Sequence, residues 1–173
     1  MGQDQKFGGD WTTEKLDRVK KYLQAYVRIM NKYNFNFIYI DAFAGTGYVE
    51  LKDKQEDKID SFLFDLAEAE PQRFIQGSAQ VALQIEPQFS RYILIEKSSK
   101  RCSELEKLRN SYSHLAERIV IINQDANEVI QEVCSRTNWR GTRAVLLLDP
   151  YGMQVRWDTI EAIAQTKAID LWL

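Results

Sequence analysis

From Phe37 onward, short and continuously apolar runs alternate with longer segments whose apolar residues recur at helical spacing. Phe37-Ile38-Tyr39-Ile40-Asp41, Tyr92–Glu96, Ile119–Asn123 and Ala144–Asp149 read as strands, while Ala79–Ile85, Lys100–Tyr112, Ala126–Thr137 and Trp157–Thr166 read as helices. A strand with no polar side must be covered on both faces, and strands separated by helices pair in parallel through crossover connections. The pattern therefore predicts an α/β, Rossmann-like domain: a mostly parallel sheet with helices on both faces. A chain of 173 residues, 45% of them hydrophobic, is enough for one such domain and its core.

Outside this alternation the sequence divides simply. Residues 1–10, rich in Gly and Gln, are expected to be flexible. A first helix is predicted from Trp11, capped by Thr12 or Thr13, with Leu16, Val19, Tyr22, Leu23, Tyr26, Val27 and Met30 as its apolar stripe and its end near Asn31–Asn34. Residues 52–76 are charge-dense around Phe62-Leu63-Phe64 and read as an insertion, placed to serve as a lid or partner surface. Skipping from Gly47 to Gly77 restores ordinary strand–helix–strand spacing, and Gly77-Ser78 reads as a helix start. Ala168–Leu173 reads as the opening of a further buried strand, so the domain, residues 11–173, is expected to be incomplete and truncated at its C-terminus.

Composition removes several function classes. With 23 basic and 25 acidic side chains, the net charge of −2 gives no broad phosphate-gripping surface. No apolar run approaches the roughly 18 residues of a membrane span, and nothing near the start resembles a signal peptide. The two isolated cysteines, Cys102 and Cys134, fit a reduced, cytoplasmic protein, and no His/Cys cluster suggests a bound metal. There is no Gly-x-Ser-x-Gly elbow of a hydrolase, and His114 reads as a solvated loop residue.

The informative polar residues stand where strands end. In an open parallel sheet, ligands bind at the carboxyl ends of the strands, near the switch in strand order. Asp41, Glu96, Asp125 and Asp149 all occupy such positions. After Asp41 comes the turn Ala42-Phe43-Ala44-Gly45-Thr46-Gly47, whose glycines allow a ligand to lie close to the backbone; the plainer reading is an ordinary turn. Glu96 can accept both hydroxyl hydrogens of a ribose, or pair with Lys97 or Lys100. Asp125, just before Ala126, can accept from an adenine amino group or cap the helix that follows. Asp149-Pro150-Tyr151-Gly152 joins a carboxylate, a stiffened turn and a ring able to stack on a base, a contact worth about 1–3 kcal/mol. A nicotinamide dehydrogenase fits less well, because position 50 is Glu where the third glycine of Gly-x-Gly-x-x-Gly would stand.

Together these motifs resemble class I S-adenosylmethionine-dependent methyltransferases. The resemblance makes Asp41, Phe43, Gly45 and Gly47 the cofactor loop, Glu96 the ribose acid, and Asp125 with Ala126 the adenine contact. Asp149-Pro150-Tyr151 looks like the Asp-Pro-Pro-Tyr tetrapeptide of nucleobase amino-methyltransferases, with one proline fewer and the tyrosine displaced. More narrowly, Trp11-Thr12, residues 39–47, Asn138-Trp139-Arg140-Gly141-Thr142-Arg143, residues 148–153 and Ile169-Asp170-Leu171-Trp172 resemble the bacterial three-Cys-motif partner (TcmP) family. That resemblance spans nearly the whole chain. It implies a methyltransferase-like fold and a partner protein with a three-cysteine motif of the kind that often holds an iron–sulfur cluster. Two functions follow as expectations: methyl transfer to an amino group of a nucleic-acid base, with Asp149, Pro150 and Tyr151 at the chemistry, or a non-catalytic S-adenosylmethionine or adenine-nucleotide module that regulates a partner.

Overall fold

The continuously apolar runs come together in one sheet, where those around Ile40, Leu94 and Leu146 are buried on both sides and those around Val120 and Leu171, at the two edges, are partly buried. The computed structural model describes residues 9–42, 77–149 and 154–172. Helix α1 (Gly9–Lys32) leads into strand β1 (Asn36–Ala42). Among the described residues, helix α2 occupies 77–83. It is followed by β2 (Arg91–Ile95), α3 (Ser99–Ser111), a 3-10 turn (Ser113–Arg118), β3 (Ile119–Ile122), α4 (Ala126–Arg136), β4 (Thr142–Leu148), α5 (Trp157–Thr166) and β5 (Ile169–Trp172).

The sheet runs β3-β2-β1-β4-β5 and every pairing in it is parallel. This is a Rossmann-like α/β fold. The chain steps from β1 to β2 to β3 in one direction, then returns to place β4 on the other side of β1. Crossovers of constant hand put their helices on opposite faces when the direction of travel reverses. Accordingly, α1, α2, α3 and the 3-10 turn cover one face, burying Leu23, Val27, Ala82 and Leu115 against Phe37, Tyr39, Tyr92, Leu94, Val145 and Leu147. Helices α4 and α5 cover the other, burying Val129, Ile130 and Ile163 against Ile38, Ile40, Ile93, Ile95, Leu146 and Leu148. Each such aliphatic side chain contributes about 1.5–3 kcal/mol by leaving water. Close approach also matters: a Cβ on Gly77 would stand 2.7 Å from Leu16 Cδ1, so α2 lies tight on α1.

Element boundaries agree with the sequence pattern to within two residues except at the start. Helix α1 begins by Gly9, so Thr12 and Thr13 lie within it rather than capping it, and Trp11 does not precede it. No residue from Gly9 to Glu14 forbids a helix, and interior threonine costs only about 0.7 kcal/mol relative to alanine. Gly9 and Asp10, expected among flexible residues, are helical too. The far end falls as expected: Asn34, at φ 55°, takes the left-handed conformation that closes a helix and that asparagine tolerates. Residues 1–8 and the 52–76 insertion lie outside the described residues. No helix among the described residues is long and apolar enough to cross a membrane.

Candidate functional site

The reversal of strand order between β1 and β4 opens a crevice at their carboxyl ends. Successive side chains on a strand alternate between faces. Asp41 therefore continues the row Phe37-Tyr39, Glu96 the row Tyr92-Leu94, and Asp149 the row Val145-Leu147, all three rows facing the α1–α3 layer. The topology thus brings three of the four predicted acids to one edge and one face.

Asp41 is the most constrained of them. It is buried, and its Oδ2 accepts from Tyr39 Oη at 3.0 Å and Ser78 Oγ at 2.8 Å. Burial pushes its carboxyl up to about 7; the bonds from Ser78 and Tyr39 oppose the shift, and the charges of Asp149 and Glu96 add to it. Burial and the neighbouring carboxyl hold the Tyr39 hydroxyl well above its ordinary range, so it stays a donor. Glu96, 1% exposed, accepts from the Ser98 backbone N–H through Oε1 at 2.6 Å. Its Oε2 is buried with no hydrogen-bond partner among the described residues. Burial raises this carboxyl also, against the lowering effects of the Ser98 bond and the Arg101 charge.

The turn that carries Glu96 is clamped from β3. Asn123 Nδ2 donates to the Glu96 carbonyl at 2.9 Å and the Lys97 carbonyl at 2.8 Å, while its Oδ1 accepts from Ser99 Oγ. Asp125 is the N-cap of α4: its Oδ1 accepts from the Asn127 backbone N–H at 3.0 Å, and Oδ2 lies 4.0 Å from Lys97 Nζ. Ala126, the first residue of α4, is buried in the layer of Val129 and Ile130. Asp149 projects from the end of β4, partly exposed, and is ion-paired with Lys15 of α1. Phe43, Gly45, Gly47, Pro150 and Tyr151 lie outside the described residues.

A buried polar brace holds the chain beyond Asp149. Asn127 donates from Nδ2 to the Gln154 carbonyl at 3.0 Å, and its Oδ1 accepts from the Arg156 backbone N–H and Thr159 Oγ1, each at 2.9 Å. The sequence does not mark Ser78, Tyr39, Asn123, Asn127 or Lys15 as site residues. The two-residue step from Tyr39 to Asp41 was a usable sign for Tyr39; the rest depend on tertiary contacts.

His114 stands in the 3-10 turn that leads to the amino end of β3, the opposite edge from the acids, and is exposed. Arg109 of α3 pairs with Glu106 at 2.6 Å. A cavity of about 580 Å³ between α4 and the sheet is lined by Ile93, Val120, Ile122 and Val133, on the face opposite the three acids. The chain matches no family model, no curated protein and no solved structure.

Proposed function

We propose that the chain is a methyltransferase that binds S-adenosylmethionine at the carboxyl edge of the sheet and methylates an amino group, that of a nucleic-acid base. The observation that carries the reading is Glu96 Oε2. Among the described residues nothing donates to this buried oxygen, and such an orphan is costly, on the order of 1–3 kcal/mol or more, unless a ligand brings a donor. A ribose diol offers two hydroxyl donors, and the residue stands one strand away from the crevice at the reversal of strand order. The residues at the edge therefore fit this cofactor.

In this reading Glu96 holds the ribose hydroxyls through Oε2 while Ser98 and Asn123 keep its turn in place. Asp125 keeps Oδ1 on the cap of α4 and turns Oδ2 to the adenine amino group, with Ala126 at the base's edge. Asp41, Phe43, Gly45 and Gly47 take the part of the cofactor loop that the resemblance implies. When bound, S-adenosylmethionine supplies a methyl group already activated by its sulfonium. Asp149 accepts a hydrogen bond from the acceptor amine, steadies the positive charge that develops there, and with Pro150 and Tyr151 positions the base. The resemblance to the three-Cys-motif partner family extends the proposal to a partner protein carrying that motif.

The test is transfer of labelled methyl from S-adenosylmethionine to pooled DNA and RNA. Asp149→Ala should lower transfer by about a hundredfold or more, with S-adenosylhomocysteine binding far less affected. Undiminished transfer would remove Asp149 from the chemistry. Binding without transfer to any acceptor would leave a ligand-binding module that regulates a partner.

A further inference from the structure

We propose that the face of the sheet opposite the three acids holds a second ligand, an aliphatic monocarboxylate, in the groove between α4 and strands β2 and β3. The site does not depend on the S-adenosylmethionine reading. The groove, of about 580 Å³, falls within the range of small-molecule sites, about 300–1,000 Å³. Strand alternation turns Ile38, Ile93, Val120 and Ile122 toward α4 as its floor, and Val129 and Val133 of α4 make its wall. Val120, Ile122 and Val133 are only half-buried, so apolar surface is left facing the groove. Ile93 pairs with Val120 and Ile95 with Ile122, and the stretch from Arg91 to Ile95 spans about 13 Å.

The polar groups of the groove sort by end. Gln124, a neutral amide, lines the end near the carboxyl edge, and Arg91 and Arg136 line the other. Arg136 is paired with Glu132 at 2.5 Å and stands in the last turn of α4, where it offsets the negative end of the helix dipole. Arg91 continues the row of Ile93 and Ile95 and stands beside Ile38 in the register. It is exposed, and its guanidinium has no hydrogen-bond or ion-pair partner among the described residues. One cation is thus left over at the end of an apolar track, which suits a single anionic head on a long apolar tail. A guanidinium fork matches a carboxylate with two parallel bonds. A phosphate dianion would set a second charge against Glu132. A protein partner fits less well: a stable interface takes about 800 Å² from each side, while α4 beside the groove presents exposed Glu128, Glu132 and Arg136.

Calorimetry on the full chain would compare decanoate, kept below its micelle concentration, with decanol. The wild-type protein should bind decanoate about tenfold more tightly than decanol, the size of one charge-assisted hydrogen bond. Octanoate should bind about fifteenfold more weakly than decanoate, because two fewer methylenes are buried. Arg91→Met, which keeps an apolar stem, should bring decanoate down to the level of decanol and leave decanol unchanged. Arg91→Lys, which keeps the charge but not the fork, should recover part of the loss. Val120→Phe, at a half-buried position of the edge strand, fills the groove and should weaken both ligands. Failure of the folded wild-type protein to bind decanoate, or decanoate binding indifferent to Arg91→Met or to Val120→Phe, would overturn the proposal. Decanoate binding that is lost as the chain self-associates with concentration would assign the groove to a second copy and overturn it too.

Discussion

Asp41 sets burial against charge within a single carboxyl. Its folded-state value of about 7 lies well above its ordinary 3.8, so between about pH 4 and 7 the folded chain keeps a proton that the unfolded chain has released. Rising pH through that window therefore costs stability, on the order of 4 kcal/mol for a shift of this size. Asp41→Asn keeps an oxygen to accept from Tyr39 and Ser78 but cannot ionise. Urea unfolding across pH 4–8 should show the wild-type protein losing stability relative to this variant as pH rises; parallel profiles would mean that Asp41 is already ionised at pH 4. At this scale the acids themselves were legible, because a carboxylate ending an apolar run has few places to go in a parallel sheet. Their partners were not. Ser78 and Lys15 reach Asp41 and Asp149 from helices that become neighbours only when the sheet assembles.

Among the elements, α4 bears most directly on the site. Its N-cap was readable at Asp125, since a short acid before a helical run accepts the free N–H groups of the first turn. One turn of sequence says nothing of Asn127, which looks like any polar helix residue. Folded, it is buried and ties the segment after Asp149 to α4 through Gln154, Arg156 and Thr159. Asn127→Ala strips the partner from a buried hydroxyl and two backbone groups at once. It should cost about 2–3 kcal/mol in urea unfolding; a loss within about 0.5 kcal/mol, the range of ordinary surface substitutions, would mean that the segment is held by something else. The start of α1 was misplaced because threonine caps helices well yet is tolerated inside them, so the first threonines are a weak boundary mark.

For the whole molecule, the parallel sheet and its two helical layers were legible because hydrophobic periodicity records burial. Strand order was not, since the sequence of elements does not state where the chain reverses. The order β3-β2-β1-β4-β5 places that reversal beside Asp41 and Asp149, on the edge where the parallel pairing gathers the four strand ends. Ligand binding to the folded state should then appear as stability: S-adenosylhomocysteine at a hundred times its Kd should add about 2.7 kcal/mol, read as a higher Tm.

The most direct test is calorimetric titration with S-adenosylhomocysteine, beside NAD and ATP, of the wild-type protein and Glu96→Gln. The expected result is binding of S-adenosylhomocysteine in preference to the other two, weakened about tenfold or more in Glu96→Gln, where one ribose-accepting oxygen becomes a donor. Failure of the folded wild-type protein to bind S-adenosylhomocysteine, or equal binding by both proteins, would contradict the assignment of this edge as an S-adenosylmethionine site.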